Sequence, residues 1–178
     1  MVQEFYQVCV EFISNMVKKC FFGRRKSLLQ EALFLYQVTS AVRGMRVEQF
    51  TVGTTSRCEL VQITAQIRAV VRNAGVESGV CVVYCPHTTA GLTINENADP
   101  DVVRDMVYQL QKLVPADDPG YKHLEGNSAA HILASLLGSS AHLIIENGDL
   151  KLGTWQGVFL AEFDGPRTRK VWVQIVGR

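Results

Sequence analysis

The sequence predicts an α+β domain over residues 46–178, with a mostly antiparallel sheet and packed helices. Three observations predict it. Short β-branched and aromatic runs recur along this span. Asn-Gly and Asp-Gly steps, which favour turns, follow two of those runs. Two helical stretches follow one another in the middle of the span instead of alternating singly with strands. With 178 residues, 47% of them hydrophobic, the chain can bury one sizeable core.

The elements follow in order. "RVEQFTV" alternates apolar and polar residues, with Val47, Gln49 and Thr51 facing one way, and predicts a strand. "LVQITAQIRAVVRNAG" carries apolar residues at 60, 63, 67, 70 and 71, an amphipathic helix stopped by Asn73–Gly75. "GVCVVYC" is a continuous β-branched and aromatic run, suited to a strand buried on both faces. "GLTINE" is a further short strand. Asp99 then reads as an N-cap, with Pro100 at the first helical position and Asp101 in the first turn. Val103, Met106, Val107, Leu110 and Leu113 give that helix one apolar face, and Pro115 stops it. "PADDPGY" is a loop, and a second helix covers roughly 123–137, ended by Gly138. "AHLIIENG" and "VFLAEFDG" read as strands with turn chemistry after them, and "RKVWVQIVG" closes the chain as a strand.

Residues 1–45 have a different character. They carry Lys or Arg at 18, 19, 24, 25, 26 and 43 against Glu at 4, 11 and 31, a net +3, whereas the remainder carries a net −2. Leu28, Leu29, Ala32, Leu33 and Tyr36 follow a helical rhythm. A signal peptide fits poorly, because the charges follow the apolar stretch, and the three glutamates argue against a mitochondrial transit peptide. The plainest reading starts the protein at Met45, with residues 1–44 an extension or a mispredicted exon. Organellar targeting and a docking helix are the other readings.

Charge and cysteine usage narrow the function. Net charge is +1 with 20% charged residues, which favours a small-molecule or protein partner over nucleic acid or an anionic membrane. The five cysteines, at 9, 20, 58, 81 and 85, show no Cys-x-x-Cys pair, and reduced thiols in a cytoplasmic setting are expected. The longest uncharged run, Ser78 to Asn95, is interrupted by Gly79, Pro86, His87 and Gly91, so no transmembrane helix is expected.

The candidate chemistry lies in four histidines, 87, 123, 131 and 142. His87 follows the apolar run and should emerge at a sheet end. If the second helix begins by His123, then His123, Asn127 and His131 spread over roughly 80° of its surface, at about 100° per residue. Gly126 within that stretch suggests a close approach to the backbone. Three neutral imidazoles suit Zn²⁺ with a fourth position open to water; solvated helix-end histidines are the plainer alternative. Glu96, just before the capped helix, is either a general base or partner to a histidine, or a surface carboxylate near a helix N-terminus. The N–H groups of that helix, with the hydroxyls of Thr88, Thr89 and Thr93, offer an anion site. Gly153 and Gly157 bracket Trp155 and Gln156, a tight turn presenting both side chains. Arg167 and Arg169 alternate with Thr168, so both should point one way and reach a phosphate. Cys85, next to Pro86, is a poor nucleophile.

The blocks "PHTTAGLTINENADPDV", "YKHLEGNSAAHILASLLG" and "LGTWQGVFLAEFDGPRTRKV", in this order, resemble the YjbQ family, also called the secondary thiamine-phosphate synthase family. The resemblance covers about residues 46–178 and departs locally at Cys85, where an aliphatic residue is expected. It implies an α+β fold with a β-sandwich, assembled as a homotrimer. It further implies a weak thiamine-phosphate synthase activity, joining a pyrimidine diphosphate to a thiazole phosphate with loss of pyrophosphate. On this reading His87, Glu96, His123 and His131 are catalytic. Thr88, Thr89, Asn127, Trp155, Gln156, Asp164 and Arg167 bind substrate. His87, His123 and His131 hold a divalent metal, Zn²⁺ or Mg²⁺, and no organic cofactor is expected. Arg167 would steady the pyrophosphate and Trp155 would stack on the pyrimidine. The partner would be a small phosphorylated metabolite. A metal-dependent hydrolase or lyase, or a trimer binding a phosphometabolite without turnover, are the alternatives.

Overall fold

The computed structural model describes residues 47–178; the readings of residues 1–45 lie outside the described residues. Strands β1 (Val47–Gly53) and β2 (Glu59–Gln62) lead to helix α1 (Thr64–Ala74), then β3 (Ser78–Tyr84) and β4 (Ala90–Glu96). Helices α2 (Pro100–Leu113) and α3 (Ser128–Leu137) follow, and β5 (Ser140–Glu146), β6 (Asp149–Leu150), β7 (Gln156–Glu162) and β8 (Thr168–Gly177) complete the order. The strands form two sheets, β1-β8-β3-β5-β6 and β2-β7-β4, with every neighbouring pair antiparallel. The α+β class with antiparallel strands is as expected.

The two sheets face each other across one apolar cluster. Val83, Leu143 and Val173 of the larger sheet meet Leu92, Val158 and Leu160 of the smaller, and Ile67 and Val71 of α1 join them. The far side of the smaller sheet carries Phe159 and Ala161, which pack under Ala130 and Leu133 of α3 and Met106 and Leu110 of α2. Strand β7 therefore runs between two apolar layers. Each large side chain buried there contributes roughly 1.5–3 kcal/mol, so β7 anchors both layers.

Several expectations need correction. The strand buried on both faces is β7, not the "GVCVVYC" run: in β3, Cys81 and Val83 point into the core while Val80 and Tyr84 remain exposed. An apolar run does not reveal whether its outer face is covered. The helix expected from residue 60 begins at Thr64, because Glu59–Gln62 pair with Phe159–Glu162 of β7 as an edge strand. The second helix begins at Ser128, not near 123; Gly126 sits at φ +69°, a left-handed position that a continuous helix does not pass through. The Asn147–Gly148 step does turn β5 into β6, with both residues at positive φ. Asp164–Gly165 instead carries the chain from one sheet to the other.

Helix α2 starts as its sequence dictates. The Asp99 carboxylate accepts the Asp101 N–H at 2.9 Å, Pro100 occupies the first turn, and the helix stops just before Pro115. Helix α3 is held against β4 by close backbone approach. The Leu92 N–H donates to the Gly138 carbonyl at 2.9 Å. A Cβ on Gly91 would stand 2.8 Å from that carbonyl oxygen, so only glycine lets α3 come this near. This contact sets where His131 stands.

Candidate functional site

His131 borders two recesses. One, of about 580 Å³, is lined by Tyr121, Lys122, His123 and Ser128 as well as His131. The other, of about 360 Å³, is lined by His87, Thr88, Ser135 and Ser139 as well as His131. The rings of His123 and His131 meet edge to face with centroids 5.4 Å apart. The expected helical stripe of 123, 127 and 131 does not exist, since His123 precedes α3, yet the turn at Gly126 brings the two imidazoles together. The His123 Nε2 also lies 3.8 Å from the Glu125 carboxylate.

His87 is fixed by β8 of the larger sheet, beyond the end of its pairing with β3. Its Nε2 accepts the Lys170 N–H at 2.8 Å, so in the neutral ring the proton sits on Nδ1. Burial, then the nearby Arg169 guanidinium, hold its pKa below the ordinary value for histidine. Cys85, behind it, is 1% exposed and its thiol is pushed up by burial, which suits packing rather than nucleophilic attack.

Behind the recesses lies a buried ion pair. Glu162 is fully buried at the end of β7 and Arg169 is 5% exposed in β8. Arg169 Nε donates to Glu162 Oε2 at 2.6 Å, and its Nη2 donates to Oε1 and, at 2.9 Å, to the Thr89 hydroxyl. Glu162 also accepts from the Thr54 hydroxyl at 3.1 Å and from the N–H groups of Phe163 and Asp164 at 3.0 and 2.9 Å. Burial raises the Glu162 pKa, but these donors outweigh it and the carboxyl ends below its ordinary value.

Asp164 continues the network outward. It accepts from Arg167 Nη2 at 2.7 Å and from Asn127 Nδ2 at 3.2 Å. Burial opposes ionisation here too, and these two donors hold its pKa below the usual carboxylate range. Asn127 is buried, and its Oδ1 has no partner among the protein atoms. Arg167 and Arg169 do not point the same way. Arg167 precedes β8, folds back on Asp164 and stays exposed, while Arg169 goes inside.

The remaining expected residues lie elsewhere. Glu96 pairs with Gln156 at one end of the β4–β7 ladder, whereas Ala90 pairs with Glu162 at the other. Six residue steps separate these ends, about 20 Å at ~3.4 Å per step. Trp155 and Gln156 form the expected tight turn: the Asn97 N–H donates to the Trp155 carbonyl at 2.7 Å, and the Gly153 N–H to Gln156 Oε1 at 2.8 Å. Trp155 is 65% exposed. One chain therefore gathers His87, Thr88, His123 and His131, hangs Asn127, Asp164 and Arg167 on the ion pair behind them, and leaves Glu96, Trp155 and Gln156 at the opposite end of the sheet. Thr89 is buried, with its hydroxyl held by Arg169. The Asp101 N–H, expected to face an anion, is taken by Asp99.

The donor set does not form a three-imidazole cage. Among the described residues no three His, Cys, Asp or Glu side chains gather closely enough to hold a metal ion. His87 also has its Nε2 engaged by Lys170, so no step below is routed through a metal. Sequence reasoning missed the Glu162–Arg169 pair as the framework of the site. The signal was present: a glutamate inside the apolar run "VFLAEF" must be paired or left costly. Lys122, Ser135 and Ser139 carried no comparable signal.

Residues 48–178 match the family model described as "UPF0047 protein YjbQ-like". The UPF0047 protein YugU of Bacillus subtilis is 49% identical over 126 residues, 71% of this chain and 96% of that protein. A UPF0047 protein of Methanocaldococcus jannaschii is 50% identical over 129 residues, 72% of this chain and 93% of its own length. Among solved structures, an uncharacterized YjbQ/UPF0047 protein of Clostridium acetobutylicum is 55% identical. It covers 72% of this chain and 99% of its own, with a TM-score of 0.71. A YbjQ-like protein of unknown function from Sulfolobus solfataricus is 31% identical, covers 75% of this chain and 98% of its own, and has a TM-score of 0.72. These descriptions correct the expected thiamine-phosphate synthase activity: neither the family model nor any of these relatives is described by such an activity, and nothing in them indicates a transferase. The geometry agrees, because within one chain Trp155 cannot stack on a molecule held beside His131. By sequence and by fold, the chain belongs to the UPF0047, YjbQ-like family.

Proposed function

We propose that this chain binds a small phosphorylated metabolite in the recesses beside His131. The observation that carries the reading is the position of His131, whose imidazole lines both recesses. Lys122, His123 and the hydroxyls of Tyr121 and Ser128 surround one side, and His87, Thr88, Ser135 and Ser139 the other. Such donors suit phosphate oxygens. Ser128 opens α3, and its N-cap Asn127 makes no side-chain capping bond, its Nδ2 donating instead to Asp164 at 3.2 Å.

Isothermal titration with ribose 5-phosphate, and with inorganic phosphate for comparison, tests the reading. A charge-assisted hydrogen bond is worth about 1.5–3 kcal/mol, so His131→Ala should weaken ribose 5-phosphate binding roughly 10- to 150-fold. His142→Ala should not change it. Equal binding by wild type and His131→Ala would refute the reading.

A homotrimer is part of the same proposal. Val80, Tyr84, Ile144, Trp172 and Val176 are exposed on the outer face of the larger sheet, where an antiparallel sheet facing water alternates to polar residues. Tyr84 and Trp172 lie with ring centroids 5.8 Å apart. Contiguous apolar surface of this kind marks an interaction face. Light scattering that reports a monomer would contradict the trimer.

A further inference from the structure

We propose that His87 serves the ligand site as a fixed neutral donor, its Nδ1–H bonding to an accepting oxygen of the bound ligand; this rests on the ligand site proposed above. The local sequence creates the arrangement. Strands β3 and β8 pair as far as Tyr84 with Trp172. Two residues further in that register Pro86 would face Lys170, and proline has no N–H to return a ladder bond. Pairing stops there, and the Lys170 N–H is taken instead by His87 Nε2 at 2.8 Å. A ring nitrogen that accepts a backbone N–H carries no proton of its own, so Nδ1 carries it.

Nδ1 is the end left for a ligand. It has no partner among the described protein atoms. The buried side-chain nitrogen and oxygen atoms without a partner among the described residues are Arg68 Nε and Asn127 Oδ1, so Nδ1 is open to solvent. His87 lines the smaller recess with Thr88, His131, Ser135 and Ser139. Ser135 spends its hydroxyl hydrogen on the His131 carbonyl at 2.8 Å. The hydroxyls of Thr88 and Ser139 rotate, whereas the backbone of β8 sets both the direction and the donor character of Nδ1–H. Turning the His87 ring to offer a lone pair would break the Lys170 bond and leave a strand N–H without its acceptor. Burial and the Arg169 guanidinium favour the neutral ring as well. The ligand class follows from this polarity. A phosphate, carbonyl or hydroxyl oxygen can accept from His87, while an ammonium or N–H group in its place would set hydrogen against hydrogen.

Two variants of the full chain separate the donor from the ladder bond. His87→Asn keeps an amide nitrogen on Cγ, as Nδ1 is, and loses the acceptor of the Lys170 N–H. His87→Gln carries its amide one carbon further out, where the oxygen can accept that N–H, and leaves no donor on Cγ. Isothermal titration with ribose 5-phosphate should find both variants weaker than wild type, with Asn binding roughly tenfold tighter than Gln, the worth of one hydrogen bond to a charged oxygen. Urea unfolding should rank stability the other way, Gln above Asn. A purely structural His87 would give that second order in the binding data too, so Gln binding as tightly as Asn, or tighter, would overturn the proposal. Long-range proton–nitrogen spectra read the tautomer. The ring should be protonated on Nδ1 and bare on Nε2 with and without ligand, so its nitrogens shift less than those of an imidazole whose charge changes. A proton on Nε2 in either state would equally overturn the proposal. If wild-type protein does not bind ribose 5-phosphate, the ligand reading falls and the donor role with it; wild-type binding with Gln equal to or above Asn removes the donor role alone.

Discussion

The Glu162–Arg169 pair is the feature whose loss should be felt most. Replacing Glu162 by Gln keeps the shape but leaves the Arg169 guanidinium charged, because arginine does not deprotonate in proteins. At 5% exposure that charge has no water to turn to. Removing one partner of a buried ion pair typically costs about 3–5 kcal/mol. The structure places this case toward the upper end, since Glu162 also accepts from the Thr54 hydroxyl and the N–H groups of Phe163 and Asp164. Replacing both partners, as Glu162→Leu with Arg169→Met, removes the stranded charge. What remains is the cost of the Asp164 N–H, about 1–3 kcal/mol if left dry, because the Thr54 hydroxyl can turn to the Arg167 carbonyl at 3.0 Å and the Phe163 N–H also donates to the Thr89 carbonyl at 3.2 Å. The double variant should therefore lose much less than the sum of the two single variants. Urea unfolding of wild type, both singles and the double supplies the coupling energy directly. For a domain of this size 1 kcal/mol corresponds to roughly 3–5 °C, so each single should lower Tm by about 10–20 °C. Single variants that lose less than about 1 kcal/mol, with additive effects in the double, would refute the reasoning.

Acid should weaken the fold in two stages. Glu162 and Asp164 are depressed in the folded protein, so their contributions are full above their ordinary values of 4.5 and 3.8 and are lost as pH falls below them. His87 is also depressed, so its stability is full above 6.5 and declines below that value. Melting temperatures across pH 3–8 should be level near neutrality, dip below 6.5 and drop steeply below 4.5; a rise from pH 7 to 5 would contradict this. Gly91→Ala pushes a methyl against the Gly138 carbonyl, should cost about 1–3 kcal/mol and should weaken ribose 5-phosphate binding by shifting α3, measured by urea unfolding and calorimetry. Asp99→Ala removes the α2 N-cap and should cost about 1 kcal/mol with ligand binding unchanged.

Local signals were legible where the physics is local. The Asp99-Pro100 start of α2, its stop before Pro115 and the Asn147–Gly148 turn are dictated by residues next to each other in the chain. The membership of strands in two sheets was not, because "VFLAEF" and "GVCVVYC" look alike until long-range pairing buries one on both faces. Edge strand β2 was hidden for the same reason: Leu60 and Ile63 fit a helical period, and only pairing with β7 makes Glu59–Gln62 extended. At the site, the histidines and the Gly153–Gly157 turn stood out by residue type. Their partition between opposite ends of β4 follows from the register Ala90 with Glu162 and Glu96 with Gln156, which sequence spacing does not encode. The inward course of Arg169 was likewise set by the partner buried in β7. Among the described residues no helix is long and apolar enough to cross a membrane, in line with the interrupted Ser78–Asn95 run.

The central claim is that His131, with His123 beside it, holds a phosphorylated ligand. Nuclear magnetic resonance of the imidazole nitrogens during titration with ribose 5-phosphate tests it most directly, because each of the four histidines reports separately. The account predicts saturable shifts at His123 and His131, a smaller one at His87, and none at His142. Equal shifts at all four, or none at His131 while the ligand binds, would contradict it.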